Sequence, residues 1–173
     1  MHTAMAAGGV GLLGCSSLKT WRNDMALTQQ AISDRLEIED VLIRYCYAVD
    51  DRDWHSYRAV FTPDAVIDDT ATGGVRSGVE EHITYMTKAL AKVLISQHAV
   101  STILISVQRD EARVRAHCSC PMVVDLGSGK RHVFFQGLWY RDLLVRTPEG
   151  WRIRELVEEG YWTHNLPTGF SFA

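Results

Sequence analysis

The chain has 173 residues, 46% of them apolar, and carries 18 basic against 21 acidic side chains for a net charge of -3. That length fills one well-packed domain and is short for two. The slightly acidic balance offers nothing to the backbone of a nucleic acid or to an anionic membrane, which leaves small molecules and further copies of the chain as partners.

In chain order, the first 24 residues read apart from the rest. Leu12-Leu13-Gly14-Cys15-Ser16 has the look of a lipoprotein cleavage box, but no Lys or Arg precedes it and glycines interrupt its apolar run. A disordered leader, or a start assigned upstream of Met25, is preferred to an export signal, and residues 25–173 are taken as a single domain. Cys15, Cys46, Cys118 and Cys120 lack metal-ligand spacing. Read as reduced thiols, they fit a cytoplasmic protein.

Ile32, Leu36, Ile38, Val41, Leu42, Tyr45 and Val49 recur at helical steps and predict an amphipathic helix from Ser33 to Val49. Asp50-Asp51-Arg52-Asp53 ends it, with Asp53 as N-cap of a second helix over 54–61. Asp50 thus sits at the unfavourable end of a helix dipole, a placement that a partner explains better than helix stability does. Thr62-Pro63-Asp64 reads as a turn, 65–68 as a short strand, Gly73-Gly74 as a break, and Ser77-Gly78-Val79-Glu80 as a capping box into a third helix over 79–90. Four long β runs follow, over 96–108, 113–125, 132–146 and 151–162, separated by short turn-type connections. Three helices and then sequential hairpins make an α+β fold, with the helices on one face of a curved antiparallel sheet. Apolar side chains lie on both faces of the run from His132, so one face covers the helices and a pocket. The other meets a second subunit, giving a homo-oligomer, a dimer or trimer.

This order resembles the SnoaL-like family of the nuclear transport factor 2-like (NTF2-like) superfamily over residues 28–160. The residues that carry the resemblance are Tyr45-x4-Asp50-x2-Asp53-Trp54, the ending Phe61-Thr62-Pro63-Asp64-Ala65, the capped third helix, and the closing Gly150-Trp151-Arg152-Ile153. It implies an NTF2-like cone whose strongly curved sheet encloses a pocket. Within the superfamily the pattern is most similar to the cofactor-free lyases, those of the scytalone dehydratase, hexachlorocyclohexane dehydrochlorinase and bile acid 7α-dehydratase kinds. Their Asp at the end of the first helix and His at the start of the first long strand correspond to Asp50 and His98. Tyr45 matches a tyrosine of the bile acid enzyme, and Arg154 falls near an arginine that such enzymes point into the cavity.

A histidine oriented by a carboxylate removes protons near neutral pH. With no nucleophile beside the pair, abstraction of an acidic C–H followed by loss of a neighbouring group, a dehydratase-type elimination, is the natural chemistry. Tyr45 would donate to the leaving group or an oxyanion, and Arg154 would hold an anionic part of the substrate. Trp54, Tyr57, His117, Phe135 and Trp139 are candidate walls for a small apolar substrate, aromatic or polycyclic, and no cofactor or metal is implied.

Each assignment has an alternative. His98 could be a satisfied core histidine, Tyr45 a packed core tyrosine, and Arg154 a partner of Glu155 or Glu158. The same cone also serves isomerases, polyketide cyclases and the non-catalytic small subunit of ring-hydroxylating dioxygenases. The aromatic tail 160–167 is placed over the cavity mouth or against a neighbouring subunit.

Overall fold

A computed structural model describes residues 26–127, 129–170 and 172. The leader, with Cys15, lies outside them. The elements are α1 (Gln29–Asp50), α2 (Trp54–Ala59), β1 (Phe61–Asp68), a 3-10 turn (Thr70–Thr72), β2 (Arg76–Ser77) and α3 (Val79–Ala89). The strands β3 (Val93–Ser96), β4 (Ala99–Gln108), β5 (Glu111–Asp125), β6 (Arg131–Thr147) and β7 (Gly150–His164) follow. The expected α+β architecture is present as a curled sheet with the helices in its concavity.

The sheet runs β2-β1-β7-β6-β5-β3, with β4 also paired to β5. Its long strands are antiparallel hairpins as read, while β1 joins β7 in parallel. Several boundaries differ: the run read as one strand over 96–108 is broken at Gln97-His98 into β3 and β4, and Thr62-Pro63-Asp64, read as a turn, lies within β1. The helix read to Phe61 ends at Ala59, because Phe61 is already paired with Ile153 of β7. Ser77 does not cap α3; Gly78 occupies the N-cap with no side-chain bond, and Glu80 is held by a forked Arg58 instead.

The core lies between α1 and the concave sheet face, where Ile38, Leu42, Phe134, Leu144, Trp151 and Ile153 are all but fully buried. α1 is pinned at its start by Asp34, which accepts hydrogen bonds from Arg146 at 2.8 Å, Gln30 at 2.9 Å and the Trp151 indole at 3.3 Å. Burial pushes the Asp34 carboxyl up, yet these donors outweigh it and hold the group below its ordinary value. The anchor explains why α1 begins at Gln29, ahead of the expected Ser33: Thr28 caps the extra turn that brings Asp34 onto the sheet.

Burial along β5 alternates strictly from Ala112 to Val124. Its inward residues Ala112, Ala116, Cys118 and Cys120 are small, and where small residues face the helices the cone is left unfilled. On β7 the alternation breaks. Leu143 pairs with Glu155 but Leu144 pairs with Ile153, so Arg154 is an extra residue, a bulge. Before it Trp151 and Ile153 point inward; after it Leu156 does, and Glu158 follows on that face.

Candidate active site

The helix end predicted at Asp50 is where α1 stops, and Asp53 caps α2 by accepting from the backbone of His55 and Ser56, both at 3.1 Å. Between them Arg52 takes a left-handed backbone conformation, φ 58°. Its guanidinium donates to the carbonyls of Val49 and Asp50 at 2.7 and 2.8 Å and to the Ser96 hydroxyl at 2.9 Å. This clamp ties the end of α1 to the end of β3 and so brings Asp50 beneath His98, which sits between β3 and β4.

The two side chains meet. His98 Nδ1 lies 2.6 Å from Asp50 Oδ1, and the His98 backbone N–H donates to Asp50 Oδ2 at 2.8 Å. They are 11% and 16% exposed, so the pair is walled in and still reachable. Burial raises the Asp50 carboxyl, but the bonds and charge of His98 and the Ser96 hydroxyl outweigh it and hold the group below its ordinary value, as a carboxylate. With Nδ1 engaged by Asp50, the proton of a neutral ring belongs on Nδ1 and the lone pair on Nε2.

His98 lines a narrow hollow of about 60 Å³ together with Tyr45, Met86, Leu138, Glu158 and Phe172. The space is far smaller than the 300–1,000 Å³ of most ligand clefts, which points to a small substrate. Phe172, packed on Phe134 with ring centroids 6.2 Å apart, forms part of the wall. The tail 160–167, expected over the cavity mouth or against a neighbouring subunit, does not line this hollow. An outer cleft of about 320 Å³, lined by Ile43, Tyr47 and Val100, touches the same pair from its other side.

The remaining candidates separate. Tyr45 is 4% exposed, stands edge-on to Tyr140 at 5.6 Å, and faces the hollow. Arg154 does not; alternation from the inward Ile153 turns it outward, where it is 41% exposed and 3.5 Å from Glu111. His117, Phe135 and Trp139 are also outside. They share the convex face because Cys118 on β5 and Phe134, Gln136 and Leu138 on β6 take the inward positions. There Trp139 stacks under Arg115 and edge-on to His117, 5.6 Å away. Trp54 packs edge-on against Tyr57 at 5.8 Å and does not line the hollow. Tyr57 is fully buried behind its wall.

Tyr57 leads to groups that spacing alone did not reveal. Its hydroxyl lies 2.8 Å from His82 Nδ1, and His82 Nε2 lies 2.6 Å from Asp69 Oδ2. Asp69 follows β1, backed by Gly74, where a Cβ would lie 2.6 Å from that of Asp69. Asp69 and Glu158 both line the hollow. Burial, reinforced by the charge of Asp69, pushes Glu158 up to about 8, against a smaller opposing pull from His98. Burial likewise pushes the Cys118 and Cys120 thiols up to about 12, which keeps them protonated and poor as nucleophiles. Among the described residues no group of three or more His, Cys, Asp or Glu is gathered to hold a metal ion, and no helix is long and apolar enough to cross a membrane.

The model of the SnoaL-like domain matches residues 30–157. A protein of Mycobacterium tuberculosis with no assigned function, Rv2910c, is 39% identical over 132 residues, covering 76% of this chain and 88% of its own. Among solved structures, a candidate scytalone dehydratase from Novosphingobium aromaticivorans superimposes with a TM-score of 0.70 at 18% identity, over 84% of this chain and 99% of that one. A type 2 hexachlorocyclohexane dehydrochlorinase gives 0.64 at 16% identity, over 80% and 97%. At such identities the likeness is one of fold.

Proposed function

The chain belongs to the SnoaL-like domain family, within the NTF2-like superfamily, and from that premise we propose that it is a cofactor-independent lyase acting on a small apolar, ring-bearing substrate. The observation that carries this reading is the Asp50–His98 pair in the wall of a largely apolar hollow. His98 takes the proton from a carbon made acidic by a neighbouring carbonyl, and Asp50 fixes the tautomer and steadies the imidazolium that forms. Tyr45, its hydroxyl kept neutral by burial, is the donor to the developing enolate oxygen. The bond to a group on the next carbon then breaks and the double bond forms.

Two proteins of the same fold bear the names of elimination enzymes, and that supports the reaction class. Cytoplasmic placement agrees with the free thiols Cys46, Cys118 and Cys120. Self-association through the convex sheet face is the partner reading, supported by exposed Val133, Phe135 and Trp162 there.

The test is turnover of cyclic β-hydroxy ketones to their enones, followed by ultraviolet absorbance, in the wild type and His98→Ala. A loss of about 10² to 10⁴ in rate is expected, the usual worth of a general base. Activity retained within a few fold removes His98 as the base.

A further inference from the structure

We infer that Glu158 is the general acid of this elimination and that the group it expels is a hydroxyl, which leaves as water. The inference rests on His98 being the base and adds what the opposite end of the reaction requires. Hydroxide is a poor leaving group and needs a proton as its C–O bond breaks, whereas a halide departs without one. A protonated carboxyl in the same hollow as the base is idle in the second case and necessary in the first.

The hydrogen bonds around Thr72 say which state Glu158 is in. The Thr72 hydroxyl has one hydrogen but two close partners, the Asp69 carbonyl oxygen at 2.8 Å and Glu158 Oε2 at 2.7 Å. A carbonyl only accepts. Both contacts are therefore made when the hydroxyl donates to Asp69 and the Glu158 carboxyl donates its own proton to Thr72 Oγ1. The upward push that burial and Asp69 exert on Glu158 agrees with that geometry. The other acid–base groups acting on it are His98 and Asp142, while the phenols of Tyr45, Tyr85 and Tyr161 are held neutral by burial.

The hollow also states what it wants to bind. Asp69 Oδ1 and Gln136 Oε1 are buried acceptors with no hydrogen-bond partner among the described residues, on residues 5% and 7% exposed. The Tyr57–His82 chain holds the other Asp69 oxygen and so fixes the first in place. Unpartnered buried acceptors are costly, and hydroxyl hydrogens on a substrate would satisfy them. The substrate class is a small cyclic β-hydroxy carbonyl compound, whose hydroxyl hydrogen one of these acceptors takes.

The step balances without an added reactant. The C–H bond breaks toward His98 Nε2, its electron pair becomes the new C=C bond, and the C–O bond breaks. The departing oxygen takes the Glu158 proton, giving water, an imidazolium beside Asp50, and a Glu158 carboxylate. Transfer of the imidazolium proton through water to Glu158 restores the starting state.

The test uses two readouts. Isotope-edited infrared difference spectra of the substrate-free protein at pH 7 should contain a protonated carboxyl band that is absent in Glu158→Gln. An ionised Glu158 at pH 7 overturns the inference, even for a protein that turns over neither probe. The second readout is the ratio of rates on 3-hydroxycyclohexanone and 3-chlorocyclohexanone. Glu158→Gln, the neutral isostere, should lose about 10²-fold or more on the hydroxy ketone and only a few fold on the chloro ketone. Equal losses on both, or none, overturn the role of Glu158 while leaving His98 untouched. Retention of both activities in His98→Ala overturns the base instead.

Discussion

Two histidine–aspartate pairs face this hollow from different sides, and they are not equivalent. His98 is bonded through Nδ1 to Asp50 and keeps an imidazole nitrogen for a substrate. His82 has both nitrogens engaged, by Tyr57 and by Asp69, and is 0% exposed. The same residues at the same separation of 2.6 Å therefore do different work. A pair with one open nitrogen moves protons; a pair closed at both ends holds a carboxylate still.

The sharpest break of that contrast is a pair of alanine variants read by two measurements. The loss of turnover set out above for His98→Ala should come with thermal unfolding changed by only a few degrees. His82→Ala should do the reverse in stability. It strands a buried Tyr57 hydroxyl and Asp69 Oδ2, at about 1–3 kcal/mol each, so a fall in Tm of roughly 5–20 °C is expected at this chain length. Comparable Tm values for the two variants would remove the distinction.

A smaller effect separates the carboxyls by pH. Asp50 is held below its ordinary value, so its stabilising contribution is present above the unfolded-state value and lost only as the pH falls through the lower folded one. Glu158 is displaced the other way, to about 8 from an ordinary 4.5. Between those values the folded chain keeps a proton that the unfolded chain releases, so stability falls as the pH rises from about 4.5 to about 8. Glu158→Gln should flatten part of that slope, with its gain in Tm over the wild type larger at pH 8 than at pH 5. An unchanged slope would mean that Glu158 ionises normally.

The mildest change is Arg52→Lys. It keeps the charge but replaces two nitrogens, Nη1 donating to Val49, Asp50 and Ser96 and Nη2 reaching the Val93 carbonyl, with one ammonium. A few-fold drop in kcat with little change in KM is expected, because the substrate does not touch Arg52. A shift in KM alone would place Arg52 in binding rather than in positioning the pair.

What could be read before the fold was known follows from where the information lies. The 3.6-residue period of α1 and the turn residues between the long strands are local signals that placed Asp50 at a helix end, whereas His98 was singled out as its partner by the family resemblance. Facing was harder. β6 carries aromatic residues at both parities, Phe134 beside Phe135 and Trp139 beside Tyr140, so its pattern did not say which set looks inward. Small inward residues on β5 settle that only once the sheet is paired. Arg154 was placed inward by the family resemblance, although its alternation with Trp151 and Ile153 already turns it outward; the bulge, a property of two strands together, decides instead that Leu156 and Glu158 face inward. Asp69, His82 and Gln136 went unseen because no periodicity marks them. Their roles arise from contacts across 13 residues in one case and from a missing partner in the other.

The extra residue in β7 has a consequence for how such a chain changes over time. Because Glu155, Leu156 and Glu158 stay opposite Leu143, Asp142 and Tyr140 once Arg154 is removed, deleting that residue would leave a regular ladder with Glu158 still on the concave face and the hollow intact. Ancestry along this scaffold can therefore gain or lose a codon at this point and keep its chemistry, so a length difference there between relatives does not separate their activities.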